Sequence, residues 1–348
     1  MTKKTKKSAY ASAGVDIDEM MQGLQNIKRD IKKTQTDGVC SQIGSFGGLF
    51  QSPGKDHLLV ASTDGVGTKL AVAAAANIHH TIGQDLVNHC TNDILVQGAT
   101  PLFFLDYLGT AKLRAENFAQ VVKGLCKACR ENGCALLGGE TAEMPGLYPA
   151  GEYDLVGTIV GTVARRSVIT GDKIRPGDTI IGLPSSGLHT NGYSLARKIL
   201  FKTAKLELND LLPGTKKKVS QVLLAVHRSY LKPVTAMRRA KIPIQGMAHI
   251  TGGGLIDNVP RILPPTCKAI IDTTSWRIPP IYPYMEKTGK VDREEMFRVF
   301  NMGIGYTIVV RPTHVDKALA TLAAQRAGAR VIGQIEKREG QQAVNLMY

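Results

Sequence analysis

The stretch Ser62-Thr63-Asp64-Gly65-Val66-Gly67-Thr68-Lys69 sets an oxygen ligand, a hydroxyl and a cation beside two glycines. Asp64 offers a hard carboxylate to a divalent ion and Lys69 a point charge to phosphate. Gly65 and Gly67 let backbone amides approach an anion, with the Thr68 hydroxyl next to them. The glycines stand too close together for a Walker loop, and no Gly-Lys-Ser/Thr closes the motif. The apolar run His57 to Ala61 before it and the pattern Lys69 to Ala76 after it predict strand, sharp loop, helix. A bare tight connection would look the same, so the loop means little unless other groups join it.

Several other groups are candidates. Thr81 to Gln97 is predicted as a helix in which Ile82, Leu86, Val87, Cys90, Ile94 and Leu95 form an apolar stripe and Asp85, His89, Asn92 and Asp93 a polar one. Asp and Asn form helices poorly, and a solvated face favours Glu and Lys. Asp93 is therefore a second metal-ligand candidate beside Asp64, with Asn92 and His89 as neighbours. Asp106 interrupts the buried strand predicted over Pro101 to Leu108 and needs a backbone donor or an ion. The strand Cys134 to Leu137 delivers Gly138-Gly139-Glu140 into a third loop that presents a carboxylate.

In the second half, Pro184 to Ser194 carries Ser186, Gly187, His189 and Asn191 into a helix, a cradle for phosphate in which His189 could donate a proton or carry developing charge. Thr251-Gly252-Gly253-Gly254 opens another helix, and its amides also suit an anion. Near the N-terminus, Ile17, Met20, Met21, Leu24, Ile27 and Ile31 share one helix face, and Lys28 at its edge is the cation best placed to reach phosphate. Residues 201–245 read as helical and basic, without chemistry.

These groups need a scaffold of alternating strands and helices, and 348 residues with 43% hydrophobic content suit two folded domains. The boundary falls near Arg165 to Asp178, dividing the chain into a basic tail over 1–9, a domain over 10–168 and a domain over 169–348. No apolar run approaches a bilayer span and no signal-peptide core is present, so a soluble, cytoplasmic protein with no membrane partner is expected. Six cysteines in so large a chain are expected as reduced thiols, the Cys126/Cys129 pair being buried on a helix face. The net charge of +15 is concentrated in the tail and in Lys216 to Lys218, and aromatics are only 5% of the chain. A polyanionic small substrate fits this better than a nucleic acid.

Taken in order, Ala13-Gly-Val-Asp-Ile17, Thr63-Asp-Gly-Val-Gly-Thr-Lys69, Asn92-Asp93, Phe103-Phe-Leu-Asp-Tyr107, Gly138-Gly-Glu-Thr-Ala-Glu-Met-Pro-Gly146, Ser185 to Ser194 and Ile250-Thr-Gly-Gly-Gly254 resemble the phosphoribosylformylglycinamidine cyclo-ligase (aminoimidazole ribonucleotide synthetase) family, from Tyr10 to about Glu336. The resemblance implies a two-domain α/β (α+β) fold and a homodimer in which N-terminal strands of both subunits form a shared barrel. It implies ATP-dependent cyclisation of formylglycinamidine ribonucleotide to 5-aminoimidazole ribonucleotide, releasing ADP and phosphate, with Mg²⁺ at the triphosphate and K⁺ as a further candidate ion. On this resemblance, Asp64, Asp93 and Glu140 take the metal, while Gly65, Gly67, Thr68, Lys69, Asn92, Gly138 and Gly139 join Asp64 and Glu140 around ATP. Ser186, Gly187, His189, Asn191, Thr251, Gly252 and Gly253 take the substrate, and His189, Lys28 and Lys69 are the catalytic candidates. Met20-Met21 and Leu188 depart from the family pattern. Selenophosphate synthetase, thiamine-monophosphate kinase and a basic nucleic-acid-binding protein are the alternatives.

Overall fold

A computed structural model describes residues 27–39 and 50–348. The basic tail, Met20-Met21, Cys40 and the glycine segment over 43–49 lie outside the described residues. The N-terminal half builds a four-stranded sheet from β1 (His57–Gly65), β2 (Thr100–Thr110), β3 (Ala135–Glu143) and β4 (Tyr153–Ala164), in the order β1-β4-β2-β3 with only β2 and β3 parallel. α1 (Lys69–Ala76) follows β1, and α2 (Ile82–Leu95) and α3 (Ala115–Asn132) cover one face of the sheet. The two covering helices cross at glycines. A Cβ on Gly83 would stand 2.2 Å from the Val121 carbonyl oxygen, and one on Gly124 would stand 2.5 Å from that of His80. α3 ends at Gly133 in the left-handed conformation, as its sequence predicts.

The other half builds a six-stranded sheet from β5 (Thr179–Pro184), β6 (Ile244–His249), β7 (Cys267–Asp272), β8 (Ile304–Val310), β9 (Arg330–Lys337) and β10 (Val344–Met347). Their order is β10-β7-β9-β5-β8-β6, with β10 and β7 parallel and the other pairs antiparallel. Helices α4 (Tyr193–Arg197), α5 (Val219–Leu223), α6 (Leu231–Arg239), α7 (Gly254–Asn258), α8 (Ile281–Gly289), α9 (Arg293–Val299) and α10 (Val315–Ala324) surround it. One apolar cluster joins α2, α3 and β4 to α4, α7 and β7, so the two halves share a core. A second, under α6 and α10, holds Tyr230, Met237, Ile308 and Leu322 together with Leu95 from α2.

Several sequence expectations change here. β1 runs on through Ser62, Thr63 and Asp64, because these residues continue its ladder with β4 as far as Gly65 opposite Val156. β3 likewise continues through Gly138, Gly139 and Glu140, which pair with β2, so Glu140 lies in mid-strand and not in a loop. Residues 201–245 are mostly irregular, with α5 and α6 short. The five described cysteines are free and buried, and no described helix is long and apolar enough to cross a membrane.

Candidate active site

The polar stripe of α2 faces the C-terminal half and ties its backbone down. Asp85 Oδ1 accepts from the His227 N–H at 2.7 Å, Asn88 Nδ2 donates to the His227 carbonyl at 2.7 Å, and Asn92 brackets the next turn. Its Nδ2 donates to the Arg228 carbonyl at 2.8 Å and its Oδ1 accepts from the Tyr230 N–H at 2.9 Å. Asn92, expected near ATP, is thus fully buried and serves as a clamp on the chain between α5 and α6. The residues that form helices poorly are explained by what they hold.

Lys69 belongs to the same seam. Its ammonium stands 2.8 Å from Asp85 Oδ2 and donates to the carbonyls of Ala225 at 2.7 Å and His189 at 3.3 Å. Its three protons are accounted for, and neither it nor Asp85 is exposed. Burial disfavours both charges, pushing Asp85 up to about 6 and Lys69 down, while their mutual attraction opposes this. The phosphate contact expected of Lys69 is therefore corrected: an ammonium with no access and no spare donor cannot reach a ligand.

The carboxylates Asp64 and Asp93 do converge. His89 Nε2 lies 2.7 Å from Asp64 Oδ2 and 3.8 Å from Asp93 Oδ2, while Asp93 also accepts from Ser62 Oγ at 3.0 Å and bonds His249 Nδ1 through Oδ1 at 2.8 Å. Burial works against a charge on His89, but the Asp64 hydrogen bond and the Asp93 and Asp64 charges outweigh it and raise its basicity. Burial would raise Asp93, yet the His249 hydrogen bond and the neighbouring imidazole charges hold it below the usual carboxylate range. His89 Nδ1 continues to Thr190 Oγ1 at 2.7 Å.

Glu140 is not with them. Asp64, Gly157, Asp106 and Gly139 form one row across the sheet, so Asp64 lies three strands, roughly 14 Å, from the Glu140 end. Asp64 and Ser62 face the helices, and Glu140, one residue past Gly139, faces the opposite side. Within one chain the two carboxylates cannot share an ion. Lys28 is exposed on the short helix over residues 27–32, which is anchored at β3 by a bond from the Leu136 N–H to the Thr34 hydroxyl at 2.9 Å. It too lies at the sheet edge remote from Asp64.

Three glycine loops meet above the carboxylates. Thr68 Oγ1 lies 3.0 Å from Ser194 Oγ, and a Cβ on Gly252 would stand 3.4 Å from Asn191 Oδ1. Gly67, Thr68, Ser194 and Gly252 are exposed. The N-termini of α1 and α4 stand side by side there, and neither helix has an acidic residue in its first turn. Asn258 fixes the third loop by donating to the carbonyls of Gly252 at 3.1 Å and Gly254 at 2.8 Å, and Thr251 Oγ1 donates to its Oδ1 at 3.3 Å. Gly138 and Gly139 sit in β3, away from these loops.

His189, expected in the open cradle, is only 1% exposed and takes a left-handed φ of 60°. Its ring stacks on His227 at 3.9 Å and its Nε2 accepts from the Ser186 N–H at 3.2 Å. Burial, with the neighbouring cations, pushes it well below the ordinary imidazole range. It is corrected from an accessible proton donor to a buried support of the loop that carries Gly187 and Asn191. Sequence reasoning missed His227, which follows the apolar run Leu223 to Val226 in an irregular segment, and the role of Ser62; the only signal for either was a polar residue at the end of an apolar run.

An open four-stranded sheet and a six-stranded α/β half that share a core define a two-domain α/β class. The chain belongs to the AIR synthase related proteins: that family's N-terminal domain matches residues 47–163 and its C-terminal domain residues 175–344. It is 49% identical to the phosphoribosylformylglycinamidine cyclo-ligase of Geotalea uraniireducens over 97% of this chain and 98% of that one. It is 47% identical to the cyclo-ligase of Alkaliphilus oremlandii over 94% of this chain and 97% of that one. Among solved structures, thiamine-monophosphate kinase from Stenotrophomonas maltophilia shares the fold at a TM-score of 0.70 and 17% identity, covering 93% of this chain and 95% of that one. The hydrogenase maturation protein HypE in complex with ATP does so at 0.68 and 17%, covering 96% and 93%.

Proposed function

We propose that the protein converts formylglycinamidine ribonucleotide to 5-aminoimidazole ribonucleotide, driven by ATP and releasing ADP and phosphate, as a step of purine biosynthesis in the cytoplasm. The observation that carries this reading is near-half identity to cyclo-ligases along almost the whole chain, with the family's glycine loops gathered over Asp64 and Asp93. In the reaction the substrate's amide oxygen takes the γ-phosphoryl group, its amine nitrogen attacks the activated carbon, and phosphate leaves with that oxygen as the ring closes. Water must be kept from the iminophosphate while the ring closes.

The donor set fits Mg²⁺: two carboxylates at a half-open rim, with room for phosphate oxygens to complete a hard oxygen shell. Bound there, the ion would neutralise charge on the triphosphate. His89 occupies the space between the carboxylates as their present counter-charge, and it must give up Asp64 Oδ2 for the ion. The amides around Gly67, Gly187 and Gly252 and the paired helix N-termini receive anionic oxygens, while Lys69 holds the His189 and Ala225 backbones in place. Glu140 and Lys28 belong to the other end of the sheet, and a role for them on ATP requires a second copy.

That second copy is part of the reading. The face of the four-stranded sheet away from the helices carries Leu59, 61% exposed, with Ala61, Val160, Phe103, Leu105 and Tyr107. An apolar sheet face of this extent favours a homodimer in which two open sheets close on each other. Purified protein given ATP, Mg²⁺ and formylglycinamidine ribonucleotide should form the aminoimidazole in step with ADP. No product from folded protein that binds ATP, or product equally from thiamine monophosphate phosphorylation, would sink the assignment.

A further inference from the structure

Four of the chain's eight histidines, His89, His189, His227 and His249, are buried together behind the carboxylates. His227 Nε2 and His249 Nε2 are 3.0 Å apart, His189 stacks on His227, and His189, His227 and His249 can each bring one ring nitrogen within 4.8 Å of the other two. We propose that His189, His227 and His249 form a binding site for a borderline-soft divalent cation of the zinc type, separate from the carboxylate pair.

The donor chemistry selects the ion. Three imidazoles suit Zn²⁺, Co²⁺ or Ni²⁺, whereas Mg²⁺ keeps to oxygen. Tautomers are already set in part. Asp93 Oδ1 accepts the Nδ1 proton of His249 at 2.8 Å, which leaves Nε2 with its lone pair toward His227, the carboxylate–histidine arrangement found behind metal ligands. His227 Nδ1 faces Thr190 Oγ1 at 3.4 Å, so one proton is shared between the two Nε2 atoms. A cation would take the lone pairs of both Nε2 atoms, and the proton would pass to His227 Nδ1, where Thr190 Oγ1 can accept it. His189 Nδ1 is buried and has no hydrogen-bond partner among the described residues. Because Nε2 accepts from the Ser186 N–H, the neutral ring carries its proton on Nδ1, and ligation through Nδ1 requires that proton to move to Nε2 with release of the Ser186 bond.

Nitrogens around tetrahedral zinc lie about 3.3 Å apart, so the His227–His249 pair opens by a few tenths of an ångström while the His189 ring leaves its stack and closes in. The His189 ring moves on a loop whose Gly187 has φ 152°. Across from it, Gly305 leaves space that a Cβ would deny, standing 2.5 Å from His189 Cε1. The three ligands come from the loop before α4, the segment before α6 and the end of β6, all in the C-terminal half. Asp93 supports them from α2.

The test uses the full chain, stripped with chelator and then equilibrated with Zn²⁺ or Co²⁺. The expected result is one ion retained per chain through gel filtration, visible Co²⁺ absorption of tetrahedral intensity, and no displacement by excess Mg²⁺. His227→Gln and, independently, His249→Gln should abolish retention in protein whose circular dichroism is unchanged. His57→Gln, at an exposed position, should leave retention intact. If one variant fails to fold, the other and the wild-type Co²⁺ spectrum decide. No stoichiometric ion on the wild type, retention unaffected by either substitution, or displacement by Mg²⁺ would overturn the proposal.

Discussion

Lys69 and Asp85 face each other at 2.8 Å with neither side chain open to solvent, and they join the glycine loop after β1 to the helix that spans the domain seam. Replacing Lys69 by Met leaves a buried carboxylate whose remaining partner is the His227 N–H. The loss should be about 3–5 kcal/mol in urea unfolding. Lys69→Met/Asp85→Asn should recover much of it, since the neutral amide can still accept from His227. A phosphate-binding lysine would behave otherwise: Lys69→Met would leave the unfolding midpoint in place and raise the KM for ATP.

Part of the scaffold was legible because periodicity survives tertiary context in α1 and α2. The errors came from glycine and from distance. Gly138-Gly139-Glu140 reads as a loop, but β2 supplies a ladder for it, and no local signal records the neighbour. The convergence of Asp64 with Asp93 was readable from the excess of Asp and Asn on α2. That the same stripe holds residues 227–230 was not readable, since its partners are backbone atoms remote in sequence.

The Asn92 clamp gives a sharper measure of that stripe. Asn92→Ala strips a buried acceptor from the Tyr230 N–H and a donor from the Arg228 carbonyl. A loss of about 2–4 kcal/mol is expected in denaturant unfolding, from roughly 1–3 kcal/mol for each group left unpaired. A loss below about 1 kcal/mol would mean that the segment before α6 is held by other contacts.

If Asp93 holds Mg²⁺ as proposed, Asp93→Asn should lower turnover about 10²-fold or more at saturating ATP and raise the Mg²⁺ concentration giving half-maximal rate, because a charged oxygen ligand is lost. Asp64→Asn should act in the same direction. Unchanged Mg²⁺ dependence in both variants would take the ion away from this pair.

On the outer sheet face, Val160 lies between Ala61 and Phe103. Val160→Lys should turn a dimer into a monomer in sedimentation velocity, since a lysine there cannot be paired when the face is covered. A wild-type chain that sediments as a monomer at micromolar concentration would remove the dimer from the proposed function.

Asp106 stands half-buried in β2, where burial pushes its carboxyl up to about 7 from 3.8. In the folded chain it keeps its proton across an interval in which the unfolded chain has released it, so its stabilising contribution is fully present below pH 3.8 and is lost as pH rises through about 7. Asp106→Asn should therefore match the wild type near pH 4 and be more stable at pH 8. A shift of this size corresponds at most to about 4 kcal/mol, and partial solvent access reduces the expected gain to about 1–2 kcal/mol. Urea titrations at the two pH values read the difference directly. Equal gains at both would assign the effect to packing, and a loss at pH 8 would mean that the ionised carboxylate has a partner, such as a bound cation, in the folded protein.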